Sequence, residues 1–161
     1  MKIILRLALL FLILIPVGYY FVQPKQKKLP VLNPIDLNEA TVDPELLRLG
    51  YGHTIGDFEF LNQKGDLISS KDLEGKLWVA EYFFTSCGSI CPIMNEQLQR
   101  VQERFKGSED LHLLSFTVDP DNDTVAQLGR YASKKNAQLP MWHFFTGEKE
   151  KLYRLARKSF F

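Results

Sequence analysis

Two cysteines, Cys87 and Cys91, are the residues of this chain whose type and spacing best suit chemistry. They lie in the run Phe-Phe-Thr-Ser-Cys-Gly-Ser-Ile-Cys-Pro at residues 83–92. Thiolates are soft ligands that select Cu(I) among the metals available outside the cytoplasm. A pair of thiols can also carry out redox exchange or close a structural disulfide. The spacing does not separate these three interpretations, although a disulfide across so short a loop would contribute little loop-closure entropy.

The flanking sequence predicts that the pair lies at a turn between a strand and a helix. Residues 77–84 are nearly all apolar, which is typical of a strand buried on both faces of a parallel sheet. Pro92 suits the first turn of a helix, and Gly107 is expected to end it. Cys91 would then lie at the helix N-terminus, where free N–H groups and the helix dipole favour thiolate. The apolar stripe of this helix is predicted at four positions with helical spacing, which are Met94, Leu98, Val101 and Phe105.

The rest of the pattern predicts an α/β domain. Residues 62–66 have the composition of a hairpin turn, and residues 111–118 and 142–145 predict two further strands. Asp123 is expected to cap the helix after the first of these strands, and Thr146 the helix after the second. Strands that alternate with helices indicate mainly parallel pairing.

Length and charge limit the function further. The chain has 161 residues, which suggests one folded domain, here predicted at residues 55–161. Lys and Arg total 20 and Asp and Glu total 19, so the net charge is +1. This balance argues against a nucleic-acid partner, because nucleic-acid-binding proteins usually carry a basic patch or stripe.

An apolar segment precedes the domain. It covers residues 3–22, about the length that crosses a bilayer, and predicts a single-pass transmembrane anchor at residues 1–22. Lys2 and Arg6 place the N-terminus in the cytoplasm, so the domain is expected on the periplasmic, extracytoplasmic side of the inner membrane. The alternative is a cleaved signal peptide, but the segment lacks a small-residue cleavage site. Residues 23–54 contain four prolines and are predicted to be a stiff linker.

Other residues that can bind metals have simpler interpretations. A structural zinc site needs four ligands, and no histidine is near the cysteines in sequence. The aspartates of the 119–123 loop lack the glycine and glutamate of an EF-hand, so turn formation and capping account for them. Met94 is assigned to the core. The three histidines carry little indication of a metal role, and they are His53, His112 and His143.

Four segments together resemble the Sco/SenC family. They are residues 57–61, residues 82–92 with the C-x-x-x-C-P core, residues 118–124 with Val-Asp-Pro-x-x-Asp-Thr, and residues 142–147. The resemblance implies a thioredoxin-like central sheet with flanking helices. It also implies a membrane-tethered copper chaperone that assists copper-site assembly of cytochrome c oxidase, with Cys87 and Cys91 as two copper ligands. Some relatives resemble thiol reductants of the same copper site, so a thiol–disulfide oxidoreductase using Cys87 and Cys91 is the alternative.

The chain departs from the family pattern near its C-terminus. The family has a third copper ligand, a histidine, in a loop before its final strands and helix, and no residue here matches it. The resemblance therefore implies that the C-terminal strands and helix are missing and that the strand at 77–84 has an open edge. On this interpretation the chain alone is expected to bind copper weakly and to fold poorly. A non-catalytic remnant is the third possible class.

Overall fold

The computed structural model describes residues 12, 14–15, 30–38, 40, 42–48 and 50–160. Most of the predicted membrane anchor, residues 1–22, therefore lies outside the described residues. Its described residues, Leu12, Leu14 and Ile15, are helical. Among the described residues, no helix has the length and apolar character needed to cross a membrane. The larger of two compact units begins at Asn33 and contains the cysteine pair.

Five strands and four α-helices make up this unit in its described part. The strands are β1 (Glu59–Leu61), β2 (Leu67–Ser69), β3 (Leu77–Phe83), β4 (Leu111–Thr117) and β5 (Trp142–Phe145). The helices are α1 (Pro44–Leu47), α2 (Ile90–Arg104), α3 (Val125–Lys134) and α4 (Lys149–Leu155). Short 3-10 turns cover Pro34–Asp36 and Ser70–Leu73, and a π-helical turn, Ala156–Phe160, follows α4.

The sheet has the order β3-β4-β5, and both pairings are parallel. Helices α2 and α3 are the crossovers between its strands, as the alternating pattern predicted. The antiparallel hairpin β1-β2 turns through residues 62–66. Two backbone hydrogen bonds between Leu61 and Thr146, of 3.1 and 3.0 Å, join this hairpin to the end of β5. The predicted α/β class is confirmed.

Apolar side chains fill both faces of the sheet, because successive residues of a strand point to opposite sides. Leu113 belongs to one cluster and its neighbour Leu114 to the other. The first cluster lies with α2 and α3 and includes Cys91. The second contains one phenylalanine from each of β1, β4 and β5, together with Leu152 and Leu155 of α4; they are Phe60, Phe116 and Phe145. The cysteine site is therefore built on one packed face of a rigid sheet.

Two predictions about burial are wrong in part. The first half of β3 is not buried on both faces, since Leu77 is 70% exposed and Val79 is exposed as well. The physical reason is position: within the described residues β3 pairs only with β4 and forms an edge of the sheet. The stripe predicted for α2 also fails at Phe105, which is 50% exposed and lies just beyond the end of the helix.

The buried side of α2 carries polar residues that an apolar stripe does not reveal. Its buried positions are Cys91, Asn95, Leu98 and Gln102. The Asn95 amide donates to the Cys91 carbonyl at 2.7 Å. Gln102 donates to the Asn136 carbonyl at 2.9 Å and accepts from the Gln138 N–H at 2.8 Å. Hydrogen bonds satisfy both ends of the Gln102 amide and the Asn95 N–H, whereas Asn95 Oδ1 is buried with no hydrogen-bond partner among the described residues.

Part of the predicted linker packs on the domain. Val42 and Leu46 are buried, and α1 begins at Pro44, a residue that suits the first turn of a helix. The Asp43 carboxylate forms ion pairs with Arg157 at 2.8 Å and Lys158 at 3.1 Å. The chain from residue 42 onward is thus fixed to its C-terminal turn.

Candidate functional site

The two cysteines lie where β3 passes into α2. Pairing of β3 with β4 ends at Phe83, and α2 begins at Ile90. Cys87 occupies the intervening turn, where its N–H donates to the Phe84 carbonyl at 3.2 Å, and its side chain is half-buried. Cys91 is the second residue of α2 and is only 4% exposed. The predicted placement at a strand-to-helix turn is confirmed, and both side chains are free thiols.

The two thiols differ strongly in acidity. The neighbouring Cys91 side chain and the backbone N–H groups of Ser89 and Cys91 stabilise the Cys87 thiolate, so the pKa of Cys87 falls from 9.0 to about 7. Burial raises the pKa of Cys91, and the neighbouring Cys87 side chain raises it further. Near neutral pH the half-buried Cys87 is therefore partly thiolate, whereas Cys91 keeps its proton. The thiolate expected for Cys91 at the helix N-terminus is wrong, because burial of this thiol outweighs the stabilisation of its charged form.

A buried polar network lies under the cysteine face of the sheet. Ser115 donates to Glu81 Oε1 at 2.7 Å and accepts from Trp142 Nε1 at 2.9 Å. Glu81 Oε2 is buried and has no hydrogen-bond partner among the described residues. Burial raises the pKa of Glu81, and the negative charge of Glu81 adds to the rise in the pKa of Cys91. Sequence reasoning missed Glu81, although a carboxylate inside the apolar run 77–84 is a signal that could have found it.

A tyrosine of α3, Tyr131, interacts electrostatically with the cysteines. The Tyr131 ring packs on Phe83, with ring centroids 5.5 Å apart, and Lys135 Nζ lies 5.4 Å from the tyrosine ring centroid. Burial raises the pKa of Tyr131 to about 12, and the charges of Cys91 and Glu81 contribute. Sequence reasoning missed this residue, because an aromatic on an amphipathic helix is usually a core residue.

Asp123 does not cap α3. The N-cap is Thr124, whose side chain accepts from the Gln127 N–H. The Asp123 carboxylate instead accepts hydrogen bonds from the Thr85 N–H and hydroxyl and from the Thr117 hydroxyl. Asp123 is not a cap because its side chain faces the end of the sheet, where the donors of Thr85 need an acceptor. Thr146 likewise pairs with Leu61, and Glu148 is the N-cap of α4.

The histidines are not brought to the cysteines. His53 Nε2 lies 3.1 Å from the Ser159 carbonyl. His112 Nδ1 and His143 Nε2 lie 2.9 and 2.8 Å from the same carbonyl, that of Pro140. His112 is the second residue of β4, at the end of the sheet opposite the one that leads into the cysteine turn. Burial lowers the pKa of His143, which suits a neutral core residue.

The other metal-binding candidates have local partners. Asp119 accepts from Asn122 at 2.9 Å, and Asp121 pairs with Lys149 at 2.9 Å. Met141 is buried in the cluster on the cysteine face. In the part of the chain that the structure describes, no three His, Cys, Asp or Glu side chains form a group suited to a metal ion. The two sulfurs are therefore the soft donors that the described site offers, and they suit a cargo ion such as Cu(I) or an exchange of electrons.

Comparison with known proteins places this geometry in a family. The family model SCO1/SenC matches residues 49–161. The SCO1 protein homolog of Bacillus subtilis is 34% identical over 110 residues, which cover 67% of this chain and 57% of the relative. The chain thus spans less than two thirds of the length of this curated relative.

Solved structures of Sco proteins share the fold. BsSco, described as containing a disulfide switch and as a member of the Sco family of cytochrome c oxidase assembly proteins, is 34% identical with a TM-score of 0.61. The match covers 67% of this chain and 64% of BsSco. Arabidopsis thaliana ScoI with copper bound is 28% identical with a TM-score of 0.55, over 65% of this chain and 64% of ScoI. The matched family model covers more than half of the residues, so this chain belongs to the SCO1/SenC family.

Proposed function

We propose that this protein is a copper chaperone that binds Cu(I) through Cys87 and Cys91. The observation that supports it is the convergence of two free thiols, of which the half-buried one has a pKa near 7. A thiolate that forms near neutral pH binds a soft cation without a large cost of deprotonation. The buried Cys91 supplies a second sulfur at a fixed position on α2.

The recipient is proposed to be the copper subunit of cytochrome c oxidase. The relatives support this step: BsSco is described as belonging to a family of cytochrome c oxidase assembly proteins, and Arabidopsis ScoI has been solved with copper. The half-buried Cys87 is the sulfur that an incoming ligand of the recipient can reach first, because Cys91 is enclosed by the core.

Titration of Cu(I) against a coloured chelator tests the metal site. The reduced full chain is expected to take one Cu(I) per molecule at saturation, with the weak affinity expected of two sulfur ligands, and Cys87→Ser and Cys91→Ser are each expected to lose this binding. Ser86→Ala, a change in the same turn at an exposed position, is the matched control and should leave the stoichiometry at one. Retention of copper by both serine variants would exclude the proposed ligands.

A thiol–disulfide oxidoreductase is the second candidate, favoured by the difference in acidity between the two thiols. Cys87 has the properties of an attacking thiolate, and the protonated, buried Cys91 those of a resolving thiol. In Cys91→Ser the resolving step is removed, so a mixed disulfide on Cys87 should accumulate with a disulfide-bearing partner. Absence of this mixed disulfide, together with copper binding by the native pair, would exclude the oxidoreductase and support the copper chaperone.

We further propose that residues 1–22 anchor the protein in the inner membrane with the domain on the periplasmic side. The support is the apolar segment that follows Lys2. A membrane-impermeant maleimide should label Cys87 in intact spheroplasts, and deletion of residues 1–22 should release the protein from the membrane fraction. Labelling only after lysis would contradict this orientation.

A further inference from the structure

We propose that Asp123 is the positioning residue of the cysteine turn, which it holds through Thr85 so that Cys87 meets Cys91. This role goes beyond the proposed function, since it holds whether the pair carries copper or exchanges disulfides. It rests on the hydrogen bonds of a side chain that the sequence pattern assigned to a helix cap.

The cysteine turn begins where the sheet ends. The N–H of Val118 donates to the Phe83 carbonyl at 2.8 Å, the last backbone bond that joins β3 to the strand beside it. The next donor, the Thr85 N–H, points instead to the Asp123 carboxylate, with N···O distances of 3.1 and 3.3 Å. The side chain of Asp123 therefore continues the anchoring of this chain segment by about two residues beyond the strand.

The carboxylate is enclosed and well satisfied. Asp123 is 1% exposed, and its oxygens accept from the Thr85 N–H, the Thr85 hydroxyl and the Thr117 hydroxyl. Gln127 adds a hydrogen bond to the Thr85 hydroxyl at 3.1 Å. A buried carboxylate is costly unless several donors surround it, and hydrogen bonds to an ionised acceptor are about twice as strong as neutral ones. This arrangement fixes Thr85 more firmly than a neutral side chain would.

Asp123 is itself held in place. Its N–H donates to the Asp119 carbonyl at 2.8 Å, and the Asp119 N–H donates to the Thr117 hydroxyl at 2.9 Å. Thr117 is the last residue of β4 and is fully buried. The Asp123 carboxylate thus links β4, the central strand, to the turn that carries Cys87 through hydrogen bonds from Thr117 and Thr85.

The two sulfurs depend on this anchor unequally. Cys91 is fixed by α2 and by its place in the core, independently of the turn. Cys87 lies two residues after Thr85, in a turn closed by its bond to Phe84. Loosening Thr85 should therefore lower the effective concentration of one thiol relative to the other while leaving the helix and the core intact.

The equilibrium with glutathione measures this effective concentration directly. Oxidised glutathione takes two electrons from the pair: the Cys87–Cys91 disulfide forms, and two molecules of reduced glutathione are released with the two thiol protons. Thr85→Val removes one hydroxyl donor without changing the shape of the side chain, and Asp123→Asn replaces the acceptor. We expect each to lower the equilibrium constant for disulfide formation about tenfold, the effect of one lost charge-assisted bond.

Two variants serve as controls, measured on the full chain in detergent. Thr85→Ser keeps the hydroxyl and should restore the equilibrium constant to within about twofold of the native value. Asp121→Asn alters an exposed carboxylate of the same loop, which pairs with Lys149. This variant should keep the equilibrium constant within about twofold of the native value. Melting temperatures are recorded in parallel, because a purely structural role would lower them without changing the glutathione equilibrium of the folded protein.

The outcome is decisive in each case. Native equilibrium constants in folded Thr85→Val and folded Asp123→Asn would overturn the proposal. If Asp123→Asn does not fold, Thr85→Val decides alone, since it leaves Asp123 with two donors. The measurement needs no copper, so a failure of the copper proposal would not be mistaken for a failure of this one.

Discussion

Cys87 packs against the buried cluster that contains Cys91, and the two thiols shift in opposite directions: the Cys91 side chain lowers the pKa of Cys87, and burial raises the pKa of Cys91. Cys91 is buried in the core, and Cys87 is half-buried in the turn before α2. The pair is thus prepared for stepwise chemistry, in which Cys87 reacts as a thiolate and Cys91 gives up its proton later. The same asymmetry serves metal capture and disulfide exchange, which is why the two proposed functions share one site.

Removal of the Cys91 thiol should raise the pKa of Cys87. In Cys91→Ala the largest contribution to the lowered value is lost, so the midpoint should move from about 7 towards 9.0. The rate at which iodoacetamide alkylates Cys87 at pH 7 should then fall roughly fivefold, following the thiolate fraction. The pH dependence of this rate gives the pKa directly.

Ser89→Ala is the control for this measurement. The Ser89 hydroxyl lies 3.8 Å from the Cys87 sulfur and makes the weakest of the contributions to its pKa. The control midpoint should stay close to 7. An unchanged midpoint in Cys91→Ala would show that the backbone N–H groups alone hold the thiolate.

The buried carboxyl of Glu81 should make the protein less stable as pH rises. Burial raises its pKa in the folded protein above the ordinary 4.5, so the folded state binds the proton more tightly than the unfolded state. This contribution is fully present below the ordinary pKa and is lost as pH rises through the folded value, by at most about 1.4 kcal/mol per pH unit. Glu81→Gln keeps the acceptor for Ser115 and cannot ionise.

Urea unfolding at a series of pH values tests the predicted effect of Glu81 on stability. The free energies of unfolding of native protein and Glu81→Gln should agree in acid and diverge above pH 4.5, with the variant more stable. Glu96→Gln, which changes an exposed residue of α2 paired with Arg100, should run parallel to the native protein. A constant difference at all pH values would assign the effect of Glu81→Gln to packing.

Much of the site was predictable because chain order and side-chain type determine it. The apolar run before Cys87 and the proline after Cys91 predict a strand, a turn and a helix, and parallel pairing follows from the alternation. The hairpin at residues 62–66 is likewise encoded by its turn residues.

The rest depends on contacts between distant segments. The local sequence predicts that Asp123 caps a helix. In the fold its carboxylate instead accepts from Thr85, which lies 38 residues earlier in the chain. The buried face of α2 includes Asn95 and Gln102, whose amides donate to specific backbone carbonyls that hydrophobic periodicity does not register. Exposure of Leu77 depends on which strands lie beside β3.

The aromatic core under β1 and β4 should be sensitive to truncation. Phe116 has no exposed surface and contacts the rings of Phe58 and Phe145, at centroid distances of 5.5 and 5.1 Å. Phe116→Ala should lower the free energy of unfolding by about 3–5 kcal/mol, because it leaves a cavity in a packed cluster. The same substitution at Phe105, which is half-exposed, should cost less than about 1 kcal/mol. Similar costs at the two positions in urea titrations would contradict the packing described for β4.

The side chain of Gln63 should protect one amide of β5 from hydrogen exchange. Its Nε2 donates to the Trp142 carbonyl at 2.8 Å, and its Oε1 accepts from the Phe144 N–H at 2.9 Å, so it occupies the place of a neighbouring strand. In Gln63→Leu both buried backbone groups lose their partner, at a cost of about 2–4 kcal/mol. Exchange of the Phe144 amide, followed by NMR, should accelerate far more than exchange within β4. Gln97→Leu, the same change at an exposed position of α2, should leave the Phe144 amide protected, and equal protection in both variants would show that Gln63 does not hold this strand.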